Sequence, residues 1–317
     1  MAVIVSINSS EKKGTVKLPQ RDGKLIAAKG LEGDAHGDGS HRQLSLLARE
    51  SIEKMEKESG MTLENGVFAE NLTTRGLSLH TLPVGTKLCA GPCLLEVTQI
   101  GKECHSDCAI KQKVGKCVMP REGIFCKILR GGTLKPGQSI WRADALPRVF
   151  LLVASDKASA GIRKDGCEKA VREFVGDRCK ITDCQILPDE RRAIADCMAD
   201  VADNYAADFI FTCGGTGFSP RDVTPEATLD IIDREAPGIA EAMRAYSLKI
   251  TPHAMLSRAR AGIRKQTLIV NLPGSPKAAC ECLEVIMPAL SHGCQVLRGA
   301  AYECGSCLLY TSPSPRD

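Results

Sequence analysis

The stretch from Ala207 to Ala227 constrains the fold more than any other part of the chain. Phe209–Cys213 is an apolar run that reads as a buried strand, and Gly214, Gly215 and Gly217 follow it at once. These glycines let the backbone turn sharply around Thr216 and present its N–H groups. Successive amides aimed at one point make a phosphate cradle. Thr224 followed by Pro225 reads as a helix start, with the threonine hydroxyl as cap and the proline ring already at a helical φ. The helix then turns its positive end toward the glycine loop. Between loop and helix stand Arg221, a cation suited to phosphate oxygens, and Asp222, a carboxylate suited to Mg²⁺. A glycine-rich turn alone joins many strands to many helices. The string continued through Glu226 is what reads as one anion and metal site.

The residues around this stretch alternate short apolar runs with long amphipathic segments, the pattern of strand–helix–strand units on a parallel sheet. Arg148–Ala154, Cys184–Leu187, Phe209–Cys213 and Thr267–Asn271 are the expected strands. Cys167–Phe174, Arg191–Tyr205, Thr224–Ile232 and Ala278–Met287 are the expected helices. In a parallel sheet the polar loops after such strands share one edge, so Asp156, Asp189, Asp222 and Lys277 are expected to converge there. Each aspartate alone reads equally as a helix N-cap. Their shared position beside a glycine loop favours a site.

The first half has another rhythm. Val3–Ile7, Gln43–Leu47, Leu94–Ile100 and Ile124–Leu129 read as strands separated by glycine and proline turns, with one surface helix over Ala48–Glu58. The turn-rich pattern ends near Trp141, and Pro147 precedes a new apolar run. The expected organisation is therefore a β-rich unit over residues 1–145, an α/β unit over 146–300, and a disordered or non-native tail over 301–317. In that tail Cys304 and Cys307 have metal-like spacing without a second pair.

Composition removes several function classes. The net charge is only +4 with scattered basic residues, and aromatic residues make up 4% of the chain, so neither a nucleic-acid footprint nor base-stacking platforms are expected. No apolar run approaches the ~20 residues of a membrane span, and the N-terminus lacks a charged leader, which together predict a cytoplasmic protein. The sixteen cysteines of the chain then read as small buried hydrophobes rather than disulfide partners.

Several strings in the second half resemble the molybdopterin adenylyltransferase family: residues 153–161, Ile186–Glu190, Gly214–Ala227, and Ile263–Gln266 with Asn271–Lys277. The resemblance runs from about Arg148 to Gly299. It implies a three-layer α/β domain, trimeric, that transfers AMP from ATP to the terminal phosphate of molybdopterin with Mg²⁺. On that resemblance Asp189 and Asp222 are the essential aspartates and metal holders. The same resemblance places the substrate phosphates against Asp156 and the loop Gly214, Gly215, Thr216 and Gly217, with Ser275 and Lys277 closing the far side.

The first half resembles the MOSC domain through Gly33–Gly37, His41–Leu47, Gly66–Leu72 and Leu95–Lys102. That family implies a β-rich, barrel-like module handling molybdenum cofactor, sulfur or metal, with Cys104 in the position of a sulfur or metal ligand. Cys104, His105, Cys108 and Cys117 match no zinc or iron–sulfur spacing well. They read as reduced thiols that pack or carry sulfur, or as a metal site. His36 and His41 read as turn residues or site residues, and Arg42 as an anion binder or the partner of a carboxylate. Two further readings stay open: a non-catalytic carrier of molybdopterin or finished cofactor, and a molybdenum-insertion enzyme. ATP consumption separates the carrier from the transferase.

Overall fold

A computed structural model describes residues 2–12, 15–35, 40–102 and 117–299. The expectations for His36, Cys104, His105, Cys108, Cys304 and Cys307 lie outside the described residues.

The first half is β-rich, as its turn spacing predicts. One sheet runs in the spatial order Ile140–Arg142, Lys87–Ala90, Cys93–Ile100, Ile124–Arg130, Leu44–Ala48, Leu72–Arg75, Val3–Ser9 and Leu18–Gln20. A small sheet of Gly132–Leu134, Gly23–Ile26 and Gly30–Leu31 packs beside it. Inward residues such as Ile4, Leu46, Leu72, Leu88, Leu95 and Ile128 form one core. The barrel-like expectation is corrected here, because the sheet does not close. Its two edges are three-residue strands, and one of them, Leu18–Gln20, is exposed throughout and carries Pro19, which has no N–H to extend a ladder. An isolated bridge between Val3 and Ser139, with the Ile140 N–H donating to the Ala2 carbonyl at 3.0 Å, brings the flanks together without a ladder between the two edge strands. The helix Arg49–Ser59 lies on the surface as expected and buries one stripe, Ile52 and Met55.

The second half is a three-layer α/β unit. Its sheet runs Lys180–Leu187, Arg148–Ala154, Phe209–Cys213, Thr267–Leu272, Ala261–Arg264 and Arg234–Glu235. The first four strands are parallel and the last two antiparallel. Because side chains alternate along a strand, Leu151, Phe209 and Phe211 pack on one face against Val171, Met243 and Leu283, while Phe150, Leu152 and Ile210 pack on the other against Ile194 and Met198. Each fully buried side chain of this size is worth about 1.5–3 kcal/mol of transfer free energy.

Four elements of this half differ notably from the sequence reading. The strand expected over Cys184–Leu187 begins at Lys180, since an edge strand with no fully buried residue shows no apolar run. The helix expected over Ala278–Met287 extends over Pro276–Arg298 despite Pro288 inside it, because Leu290, Cys294 and Arg298 continue its buried stripe. The helix Pro237–Ser247 and the strand Ala261–Arg264 have no counterpart among the expected elements.

The two halves meet through a buried charge cluster. Asp208 is 3% exposed and accepts from two arginines, Arg148 (6%) and Arg298 (3%). Arg148 donates to Asp208 Oδ2 from its backbone N–H at 2.7 Å and from Nε at 3.1 Å. Arg298 donates from Nη2 at 2.7 Å and from Nε at 3.1 Å. The two cations hold the Asp208 carboxyl below its ordinary range against the upward push of its burial. The rest of the Arg298 guanidinium binds the carbonyls of Ala143, Ala145 and Leu146, which form the connection between the halves. The Arg148 guanidinium also lies 3.4 Å from the centre of the Trp141 ring. The connection is therefore docked along its length rather than swinging free.

Candidate active site

The C-terminal ends of three adjacent parallel strands carry the site. After Arg148–Ala154, Ser155 caps a short helix by accepting from the Ala158 N–H, and Asp156 opens that helix. After Lys180–Leu187 comes Asp189. The two aspartates hold each other through the backbone: the Asp156 N–H donates to Asp189 Oδ2 at 2.9 Å, and the Asp189 N–H donates to Asp156 Oδ1 at 3.0 Å. After Phe209–Cys213 the chain enters the glycine loop. Gly214 has φ +100° and Gly215 φ +62°, conformations that side chains with a Cβ rarely take. A Cβ at Gly214 would stand 2.4 Å from the Ala154 carbonyl oxygen, so the loop also packs against its neighbour strand too closely for any other residue.

Both proposed metal holders abut this loop. A Cβ at Gly215 would lie 3.2 Å from Asp189 Oδ1, and one at Gly217 would lie 2.9 Å from Asp222 Oδ2. Asp222 is fixed by the Ser219 N–H, which donates to Oδ2 at 3.0 Å. Arg221 reaches back across the site and binds Asp156 with two parallel hydrogen bonds, Nε to Oδ2 at 3.0 Å and Nη2 to Oδ1 at 2.7 Å. The sequence reading assigns Arg221 to phosphate oxygens. In this structure its guanidinium is engaged by Asp156, so an incoming anion competes with that carboxylate.

The electrostatics divide the aspartates. Arg221 holds the Asp156 carboxyl below its ordinary range, with the Asp189 N–H adding to the effect. Burial pushes Asp189 up, and the nearby carboxylates of Asp156 and Asp222 push the same way. A carboxyl raised in the folded state favours its protonated form. Its contribution to stability is complete below the unfolded pKa and is lost as pH rises through the folded value. Above that value the charged Asp189 carboxylate therefore costs stability. Asp189→Asn keeps the acceptor for the Asp156 N–H and removes the charge, so its melting temperature should exceed that of the wild type, by more near pH ~7 than near pH ~4. Thermal melts at the two pH values check this; a variant less stable than wild type at neutral pH would contradict it.

Other expected site residues fall differently. Ser275 caps the helix Pro276–Arg298 and accepts from the Ala278 N–H at 3.2 Å. Gly274 comes against Gly214, where its Cβ would lie 3.1 Å from the Gly214 Cα. Lys277 does not join the aspartates. Its head group is 84% exposed and its ion pair is with Glu281, one turn along the same helix, because the second position of that helix points outward. Thr224 is also corrected as a cap. The N-cap position belongs to Val223, and the Thr224 hydroxyl is buried without a hydrogen-bond partner among the described residues.

A pocket of about 290 Å³ opens beside Thr216 and Gly217, walled by Ala240, Met243, Ile250, Leu256, Pro273 and Cys282. Its mostly apolar walls beside the glycine loop suit a planar ring system. The sequence reading misses it, since its walls come from the unexpected helix Pro237–Ser247 and the turn that follows. It also misses Arg258, whose backbone N–H donates to the Thr216 carbonyl at 2.9 Å. No motif surrounds Arg258 that could have revealed it.

In the first half, Arg42 donates from Nε to Gln99 Oε1 at 2.8 Å and lies over the Phe125 ring, so its described partners carry no charge. The His41 ring meets the same Gln99 oxygen at 3.2 Å. Many cysteines are buried as expected, and burial raises thiols such as Cys89 to about 11 and Cys93 to about 12. Among the described residues none forms a disulfide, and no helix is long and apolar enough to cross a membrane.

Residues 150–292 match the family described as a probable molybdopterin binding domain, and residues 33–141 match the MOSC domain. The chain is 41% identical over 154 residues to the molybdopterin adenylyltransferase of Helicobacter pylori strain J99, covering 48% of this chain and 88% of that protein. The molybdopterin adenylyltransferase of Escherichia coli K12 is 41% identical over 145 residues, 45% of this chain and 74% of the relative. The solved structure of the molybdopterin biosynthesis enzyme MoaB from Thermus thermophilus is 44% identical with a TM-score of 0.47, spanning 50% of this chain and all of that one.

Proposed function

Because this chain belongs, through its C-terminal half, to the molybdopterin adenylyltransferase family, we propose that it acts in molybdenum cofactor biosynthesis by transferring AMP from ATP to the terminal phosphate of molybdopterin. The observation that carries this reading is the placement of two carboxylates, Asp189 and Asp222, against the glycine loop at the ends of parallel strands. An oxygen of the pterin phosphate attacks the α-phosphorus of ATP, the bond to the β-phosphate oxygen breaks, and pyrophosphate leaves. The attacking phosphate is already ionised, so no general base is required. The work left to the protein is to bring two anions together and to hold them in line.

The loop N–H groups and Arg221 are suited to bind the phosphates, and the pocket beside Thr216 to take one ring system. Asp189 and Asp222 would hold Mg²⁺, which when bound neutralises charge on the phosphate oxygens and the departing pyrophosphate. The donor set fits that ion. Asp189 and Asp222 each place a carboxylate oxygen against the glycine loop, and Mg²⁺ characteristically takes one or two carboxylates together with substrate phosphates and water. Burial is the main cause that raises Asp189, and the carboxylates of Asp156 and Asp222 add a like-charge push that a cation would relieve.

The MOSC half serves the same pathway in this reading, handling molybdenum cofactor, sulfur or metal. Its docking to the catalytic half keeps the two sites at a fixed separation, which favours capture of a labile pterin passing between them. Assembly as a homo-oligomer, a trimer on the family resemblance, is supported by the apolar side chains of Ile250, Met255 and Leu256, which lie exposed in one segment.

The test is to incubate the full-length protein anaerobically with ATP, Mg²⁺ and molybdopterin. Adenylylated molybdopterin and pyrophosphate should form in equal amounts. Pterin binding with ATP left intact would instead support the carrier reading.

A further inference from the structure

We propose that Arg258 is the positioning residue that sets the geometry of the Asp222 carboxylate. The proposal rests on the reading that Asp222 is a metal holder. Every nitrogen of the Arg258 guanidinium is used, and each use falls on the segment that leads from the glycine loop to the helix Thr224–Leu229. Nε donates to the Gly217 carbonyl at 2.6 Å. Nη2 donates to the backbone carbonyl of Asp222, and Nη1 to the carboxylate of Glu226. The Arg258 backbone N–H also holds the Thr216 carbonyl at 2.9 Å.

One planar cation is thus the template around which residues 216–226 fold. The segment has no regular structure before Thr224, so its carbonyls have no ladder to fix them. Among the described residues Asp222 Oδ2 accepts the Ser219 N–H and lies against the position of Gly217. Without Arg258, two backbone carbonyls and one carboxylate lose their donor, and the loop is free to move the metal-holding oxygen.

The template is itself anchored to the sheet. Asn271, fully buried on the central strand Thr267–Leu272, accepts the Arg260 N–H at 3.0 Å with its side-chain oxygen, and its backbone N–H donates to the Arg260 carbonyl at 3.0 Å. The Asn271 amide group donates to the hydroxyls of Thr212 and Thr228, at 3.1 and 2.8 Å. Arg244 donates to the Ala259 carbonyl at 2.9 Å. The path from sheet to catalytic carboxylate runs Asn271, residues 258–260, the guanidinium, and then the backbone on either side of Asp222. A lysine cannot reproduce it, because one ammonium cannot meet three acceptors in a plane.

The test uses the full chain as wild type, Asp222→Asn, Arg258→Ala and Arg258→Lys. Mn²⁺ binding in the presence of ATP is followed by paramagnetic resonance, ATP binding is measured with the metal chelated, and melting temperature is recorded for each protein. We expect Arg258→Ala and Arg258→Lys to weaken Mn²⁺ binding by about 10-fold or more, as Asp222→Asn does, and by a larger factor than they weaken metal-free ATP binding. Guanidinium chloride at millimolar concentration should partly restore Mn²⁺ binding to the alanine variant. If Arg258→Ala does not fold, the lysine variant decides, since it keeps the charge and the backbone contact. Wild-type Mn²⁺ affinity in a folded Arg258 variant, while Asp222→Asn loses it, overturns the proposal. Undiminished Mn²⁺ binding in Asp222→Asn instead overturns the metal role on which it rests.

Discussion

Turnover of the Asp222→Asn protein is expected to fall by at least ~100-fold, with a melting temperature close to that of the wild type. On the proposed function, the substitution removes one anionic holder of the metal and forfeits several kcal/mol of charge stabilisation where pyrophosphate would depart, and each 1.4 kcal/mol is about tenfold in rate. The small stability effect follows from the local geometry. Among the described residues the carboxylate accepts one hydrogen bond, from the Ser219 N–H, and the amide oxygen of asparagine can accept the same bond. Steady-state rates at saturating ATP and Mg²⁺, together with thermal melts, check both halves of the expectation. Full activity would remove Asp222 from the chemistry, and a large fall in melting temperature would make it a residue of the loop's fold.

Asp208→Ala should act in the opposite sense, with a large loss of stability and no direct contact with the reacting groups. The substitution leaves Arg148 and Arg298 buried, at 6% and 3% exposure, without the carboxylate that both share. Removing one partner of a buried ion cluster costs about 3–5 kcal/mol, because the remaining charges keep their desolvation penalty without compensation. The same change frees the contacts that tie Arg298 to Ala143, Ala145 and Leu146, so the junction loosens with the core. Trp141, the single tryptophan of the chain, reports on that junction because the Arg148 guanidinium lies against its ring. Denaturant unfolding should show the loss of stability, and Trp141 emission should change in the folded variant. A variant within ~1 kcal/mol of wild type with unaltered emission would show that the cluster is dispensable.

Some of this protein is legible in its sequence, for reasons that are local. The strands Arg148–Ala154 and Phe209–Cys213 can be read to the residue because both are buried on two faces and therefore appear as unbroken apolar runs. The glycine loop is legible because only glycine tolerates the φ values of Gly214 and Gly215 so close to the Ala154 carbonyl. Asp156, Asp189 and Asp222 follow from topology, since loops after parallel strands share one edge. The family resemblance rests on the same strings, which are short and contiguous.

Tertiary structure decided the rest. An apolar alternation can state which residues face inward but not whether the last strand meets the first, so the open sheet of the N-terminal half was not determined by its pattern. Lys277 sits at the right place in the chain but on the outward side of its helix, a rotation that strand-end counting does not see. Thr224 has the composition of a cap, yet the turn closes one residue earlier, at Val223. Arg221 pairs with Asp156 across 65 positions and Arg258 meets Glu226 across 32. No local signal predicts such contacts, because a guanidinium at the end of a flexible chain takes its partners from whatever the packed core brings within reach. The sequence determined which backbone could turn where and which carboxylates stand at the sheet edge. Only the folded chain determined which cations hold them, since that depends on distances fixed by packing between elements far apart in sequence.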